Sequence, residues 1–245
     1  VPATPDDVTG LLRALMASDP GRPRLTWYGP GGERVELSAR TLDNWVAKTA
    51  NLLTIELDAG PGTRVLLALP AHWRSAVWTL ATWSVGACAV VGSADGAAAD
   101  VVVTTAEQAR AWSTSQVVAV ALPALAATAG PDLPPGAHDG AALVRVQADV
   151  FVPLVSPVAG DPAFAGTGPP VRHVDLMPRA RRTADERGWS GGVRVLTDAR
   201  PDEAVGWLLG PLSLDGSVVL HPAPALGDAP ERDRIAEQEG VTARW

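Results

Sequence analysis

A chain of 245 residues with 47% hydrophobic content is long enough to bury a sizeable core, as one large domain or two smaller layered ones. Its formal charge of -7 argues against a nucleic-acid surface, because phosphate binding is dominated by Lys and Arg neutralising the backbone. Cys88 is alone, which excludes a disulfide framework and a thiolate metal site; within the apolar run 87–91 it reads as a small buried hydrophobe.

The periodicity predicts elements in chain order. Leu11 to Ala17 predicts a short helix. Leu25 to Tyr28 and Arg34 to Leu37 predict a hairpin about the turn Gly29-Pro30-Gly31-Gly32. Ser38 stands at an N-cap position before an amphipathic helix carrying Leu42, Trp45, Val46, Thr49, Leu53 and Leu57 on one face. Gly60-Pro61-Gly62 stops that helix, and Val65 to Leu69 is the unbroken apolar run of a strand buried on both faces of a parallel sheet. Ala71 to Val85 predicts a helix buried over much of its circumference, since Trp73, Trp78 and Trp83 point in different directions. Ala87 to Val91, Asp100 to Val103 and Val117 to Ala121 read as strands, and Thr105 with Gln108 reads as a capping box opening a helix to about Trp112.

The Pro-, Gly- and Asp-rich stretch 129–140 predicts a surface loop and a boundary, with subdomains at 1–135 and 136–245. Beyond it, Phe151 to Val155, Val193 to Thr197 and Ser217 to Leu220 read as strands. Val174 to Glu186, Pro201 to Leu212 and Pro230 to Glu239 read as helices, the last ended by Gly240. Strands alternating with helices imply a layered α/β fold, αβα with mostly parallel sheets in two similar halves. The uncharged stretches 75–94 and 111–131 are long enough to span a membrane, but Gly86, Pro123 and Gly130 break them, so they read as buried core. The segment Val1 to Asp7 has no basic n-region, and the expected location is cytoplasmic.

Candidate chemistry is sparse. Gly188-Trp189-Ser190-Gly191-Gly192 matches G-x-S-x-G, but a helix precedes it and a strand comes after, the reverse of a nucleophile elbow. His72, His138, His173 and His221 lack metal-ligand spacing. His72 reads as a helix cap or packing group, and His221 stands at the C-terminal end of a strand, where open α/β sheets place ligand groups. Of the nine tryptophans, those on the packed helices read as core.

Leu-Thr-Trp-Tyr (25–28), Val-Glu-Leu-Ser (35–38) and Gly-Pro-Gly-Thr-Arg-Val-Leu-Leu-Ala-Leu-Pro (60–70) succeed one another in order. Val-Gly-Ala-Cys-Ala-Val-Val (85–91) and the segment Leu208 to Leu220 come after them. This order resembles the N-terminal part of the adenylate-forming superfamily of acyl-CoA synthetases, luciferases and adenylation domains. Thr63 replaces the family's Asp, while Arg64, Val65, Pro70, Gly86 and Ala87 keep its pattern.

The resemblance implies a truncated, degenerate member. The family's phosphate loop falls on Ala165-Gly166-Thr167-Gly168-Pro169-Pro170-Val171-Arg172-His173, where its Lys is gone and Arg172 is displaced by two residues. Gly166, Thr167, Gly168, Arg172 and His173 are therefore the nucleotide-site candidates: the loop either still offers backbone N–H groups to an anion or is an ordinary Gly/Pro turn. The family's Tyr-Gly-x-Thr-Glu segment and its C-terminal domain would lie beyond Trp245. These losses lead to the expectation of a protein without adenylation activity, serving as a binding or interaction module for a protein partner or small molecule and needing no cofactor. The alternative is a site that still takes ATP, AMP or an acyl group, alone or as half of a split enzyme.

Overall fold

Residues 5–92, 99–112, 116–124, 126–221 and 229–245 are described by the computed structural model of the chain. The helices are α1 (Val8–Ser18), α2 (Ala39–Ile55), α3 (Trp73–Ser84), α4 (Gly140–Val146), α5 (His173–Glu186), α6 (Gly210–Ser213) and α7 (Ala229–Gln238). The strands are β1 (Pro23–Tyr28), β2 (Arg34–Ser38), β3 (Arg64–Ala68), β4 (Cys88–Val90), β5 (Val101–Thr105) and β6 (Gln116–Val120), then β7 (His138–Asp139), β8 (Pro162–Ala165), β9 (Val171–Arg172), β10 (Arg194–Thr197), β11 (Ser217–Leu220) and β12 (Ala243–Arg244). The expected mixed α/β class with mostly parallel sheets is borne out.

Two compact units interleave along the sequence. The first takes residues 1–43, 71–76 and 174–245, and the second takes 44–70 and 77–173. In the first unit the sheet order is β12-β10-β11-β1-β2, parallel throughout except for the hairpin β1–β2. In the second the order is β7-β6-β5-β3-β4-β8-β9, parallel except for the hairpin β8–β9. The expected break after residue 135 thus falls inside the second unit. Strand pairing decides this: β8 hydrogen-bonds to β4, while β1 joins the C-terminal strand β11.

Local chemistry explains the elements that were anticipated. Asp7 caps α1, its Oδ1 accepting the Gly10 N–H at 2.6 Å, and Val8, Leu11, Leu12 and Leu15 turn inward. Ser38 Oγ accepts the Thr41 N–H at 3.2 Å at the start of α2, as its position predicted. Every residue of α3 but Ser75 is buried, and β5 is buried along its whole length. Gly86 turns the chain between α3 and β4 with φ +82°, and a Cβ there would meet the Pro157 Cα at 3.0 Å.

Three expectations fail, each for a definable reason. The helix expected from Thr105 to about Trp112 is only a 3₁₀ turn, Ala109–Ala111. Thr105 ends β5 paired with Val120, and its side chain bonds to that of Glu107 rather than capping a helix, so only single turns follow. Phe151 to Val155 pairs with no strand among the described residues, where Pro153 lacks a donor; the segment bends at Leu154 and Val155 and leaves Val152, Leu154 and Val155 exposed. The helix expected over Pro201 to Leu212 splits into a 3₁₀ turn (Pro201–Glu203), a π-helix (Val205–Leu209) and α6. Pro211 has no N–H to give the Trp207 carbonyl and its ring would press on it, so the turn before it widens. Gly206 leaves room there for the Trp245 ring, which a Cβ would approach to 2.3 Å. The short elements β7, α4, β8, β9 and β12 are additions to the sequence reading.

Candidate functional site

The phosphate-loop candidates lie in the second unit. Gly166, Thr167 and Gly168 form the loop of the β8–β9 hairpin, and Arg172 is exposed on β9, an edge strand. His173, first residue of α5, is buried: its Nε2 lies 3.0 Å from the Gly86 carbonyl, and its backbone N–H donates to the Asp161 carbonyl at 3.0 Å. Burial holds its pKa below the ordinary imidazole value, against the opposing pull of the Gly86 carbonyl. The ring is neutral at pH 7, and Nε2–H donates to that carbonyl. His173 thereby ties the start of α5 to the α3–β4 turn.

The chain's single lysine is also engaged. Lys48 Nζ on α2 donates to the Gln147 carbonyl at 2.5 Å and pairs with Asp149 at 2.8 Å, while Asn51 one turn on donates to the carbonyls of Ala148 and Val150. Together they fasten the segment after α4, whose carbonyls have no strand to pair with. Lys48→Met keeps the stem and removes these bonds. It should lower stability by about 1 kcal/mol in chemical denaturation, since the partner Asp149 is largely exposed.

His221 stands elsewhere, in the first unit. The register Trp27↔Leu220 between the parallel strands β1 and β11 places Tyr28, the last residue of β1, beside His221, just past the end of β11. They line a cleft of about 700 Å³ with the turn 29–32, Arg34, Glu231, Arg234 and Gln238. Gly29 is required at the turn, because a Cβ would fall 2.2 Å from the Trp27 ring. Of the sequence candidates, only His221 reaches this cleft.

A buried carboxylate organises its floor. Glu239, in the turn after α7, accepts the Tyr28 hydroxyl at 2.5 Å, Arg34 Nε at 2.9 Å and Arg194 Nη2 at 2.5 Å. Arg194 also donates to Thr26 Oγ1 and Ser217 Oγ, so one charge pair pins α7 to β1, β2, β10 and β11. Burial pushes the Glu239 pKa up, but the hydrogen bonds from Arg34, Tyr28 and Arg194 outweigh it and leave the carboxyl at about 2. Burial and the bond to Glu239 push the Tyr28 phenol above its ordinary value.

His221 is 3% exposed and its Nδ1 has no hydrogen-bond partner among the described residues. The ring meets Tyr28 edge-on at 6.3 Å, and burial lowers its pKa despite the attraction of Glu231. The imidazole is held neutral, and its Nδ1 is enclosed rather than open to the cleft. Nothing in the sequence set Glu239, Arg34 or Arg234 apart. The signal that was present is the only tyrosine in the chain, placed at a strand's C-terminal end.

The other histidines are structural or isolated. The His72 ring meets the Trp27 ring at a tilt, centroids 4.1 Å apart, and its Nδ1 accepts the Arg74 N–H at 3.1 Å, which caps α3 as anticipated. Among the described residues no three His, Cys, Asp or Glu side chains group as a metal site, and no helix is long and apolar enough to cross a membrane. Ser190 sits in the turn between α5 and β10, helix before and strand after.

The fold is shared with an acyl-CoA synthetase from Brucella canis, which superposes with a TM-score of 0.81 over all of this chain at 20% identity. The chain spans 48% of that protein's length. No family model matches the sequence. The TIGR03089 family protein of Mycobacterium tuberculosis is 40% identical over 238 residues, covering 91% of this chain and 93% of that one. Identity at that level over nearly the full length of both proteins makes this chain a member of the TIGR03089 family.

Proposed function

We propose that this chain does not itself join carboxylates to AMP and instead serves as a binding protein on an acyl-CoA synthetase-like fold. The observation that carries this reading is the state of its cationic groups. Adenylation expels pyrophosphate and must neutralise a triphosphate in the transition state. The hairpin loop that resembles the phosphate loop runs Gly168-Pro169-Pro170-Val171 without a lysine, and Lys48 is held by Gln147 and Asp149. His173 is likewise committed, to the Gly86 carbonyl.

The test is pyrophosphate release from ATP and Mg²⁺ over a panel of carboxylates, with calorimetry of ATP and AMP. The expected result is no turnover and no nucleotide affinity tighter than about 100 μM. Sustained pyrophosphate release with any acid overturns the reading. ATP binding below that limit, weakened by Arg172→Gln, would instead favour a nucleotide site at Gly166, Thr167 and Gly168.

A further inference from the structure

We propose that the apolar strap between α4 and β8, residues 146–158, is the surface through which this chain pairs with a second copy of itself about a twofold axis. Of the eight large apolar side chains exposed among the described residues, six lie in this strap, with Leu154 85% exposed. The strap is fastened to its own unit. Lys48 donates to the Gln147 carbonyl and Asn51 to those of Ala148 and Val150, so the chain runs along one face of α2 toward Ile55, which is one turn beyond Asn51 and exposed. Exposed Val150, Val152 and Leu154 alternate with half-buried Phe151 and Pro153, so the outward row is apolar.

Size and charge select a second copy as the occupant. The strap's six exposed side chains and Ile55 present roughly 750 Å², close to the ~800 Å² that each partner gives to a stable interface and above the patch usual on a monomer. The strap's one ionisable side chain, Asp149, is paired with Lys48 at 2.8 Å. A partner chosen by charge would find nothing to complement there, whereas an apolar row complements itself under a twofold axis. Because Lys48 and Asn51 already order the backbone, association does not have to supply that ordering. The formal charge of -7 disfavours an anionic lipid surface, and two copies meeting at the strap add no unpaired charge to their mutual repulsion.

The test is sedimentation velocity of the full chain from about 1 to about 200 μM, at about 50 and about 500 mM NaCl. A monomer–dimer equilibrium is expected with a Kd on the order of 10 μM, tightening severalfold at the higher salt as like-charge repulsion is screened. Leu154→Glu should raise that Kd at least about tenfold while leaving the thermal midpoint unchanged, because the side chain is exposed. Ser190→Glu, which adds the same charge at an exposed turn of the first unit, should leave the Kd within about twofold. A protein that stays monomeric at the highest concentration, a dimer indifferent to Leu154→Glu, or one that salt weakens overturns the proposal. So does a monomer that floats with phosphatidylcholine–phosphatidylglycerol vesicles and loses that binding in Leu154→Glu, a result that would assign the strap to lipid. Pyrophosphate release would overturn the non-adenylating reading and leave these measurements standing, so the two failures are distinguishable.

Discussion

Glu239→Ala is expected to destabilise the protein by about 3 kcal/mol at neutral pH, measured by urea denaturation. The carboxylate is 5% exposed and receives three donors from different elements, so its loss strands Arg194, itself 14% exposed, beside an empty site. Removing one partner of a buried pair costs more than the pair contributes, because the remaining charge keeps its desolvation penalty. The Arg34 contact adds little, since that side chain is 37% exposed.

The same group gives the fold a pH dependence whose sign is fixed. The folded-state pKa of Glu239 is depressed to about 2 from an ordinary 4.5, so its contribution is full above the unfolded value and is lost as pH falls from about 4.5 towards 2. Linkage sets the size at about 3 kcal/mol. Glu239→Gln, which cannot titrate, should flatten the stability profile across that window; a mutant as acid-sensitive as the wild type would remove Glu239 from the account.

Gly216→Ala should cost at least about 3 kcal/mol, or prevent folding altogether. A Cβ at Gly216 would lie 2.3 Å from the Val193 carbonyl oxygen and 2.7 Å from that of Pro211. Neither oxygen can retreat: the first accepts the Ser217 N–H at 2.8 Å, and the second accepts the N–H groups of Leu214 and Gly216. Buried Arg24 locks the same corner by bonding to the Asp215 carboxylate and to the carbonyls of Asp215 and Gly216. Gly160→Ala, where a Cβ meets nothing within 4 Å, is the control and should change stability by less than about 0.5 kcal/mol. Thermal and chemical unfolding of the two proteins side by side would check both values.

Much of the framework could be read from residue order. The hairpin β1–β2, helices α2 and α3 and strands β3, β5, β6, β10 and β11 each carry their own signal in period, cap or unbroken apolar run. The elements that escaped are short or depend on a partner. β7, β9 and β12 have two residues each and exist only because a neighbouring strand offers a ladder. Phe151 to Val155 has the composition of a strand but pairs with none among the described residues, and the capping pattern at Thr105 is followed only by turns.

The site divides in the same way. His221 could be picked out by its place after a strand, but its partners could not, because Tyr28, Arg34, Arg234 and Glu239 come from both ends of the chain. The α/β class, the mostly parallel sheets and the resemblance to acyl-CoA synthetases were legible in residue order, since period, unbroken apolar runs and motif order are local along the chain. Which strands share a sheet, that the two units interleave, and that Lys48 and His173 serve the scaffold while His221 Nδ1 finds no partner among the described residues were settled by tertiary packing. Each of those outcomes depends on which distant carbonyl or carboxylate folding brings within about 3 Å of a side chain, and local pattern carries no record of that distance.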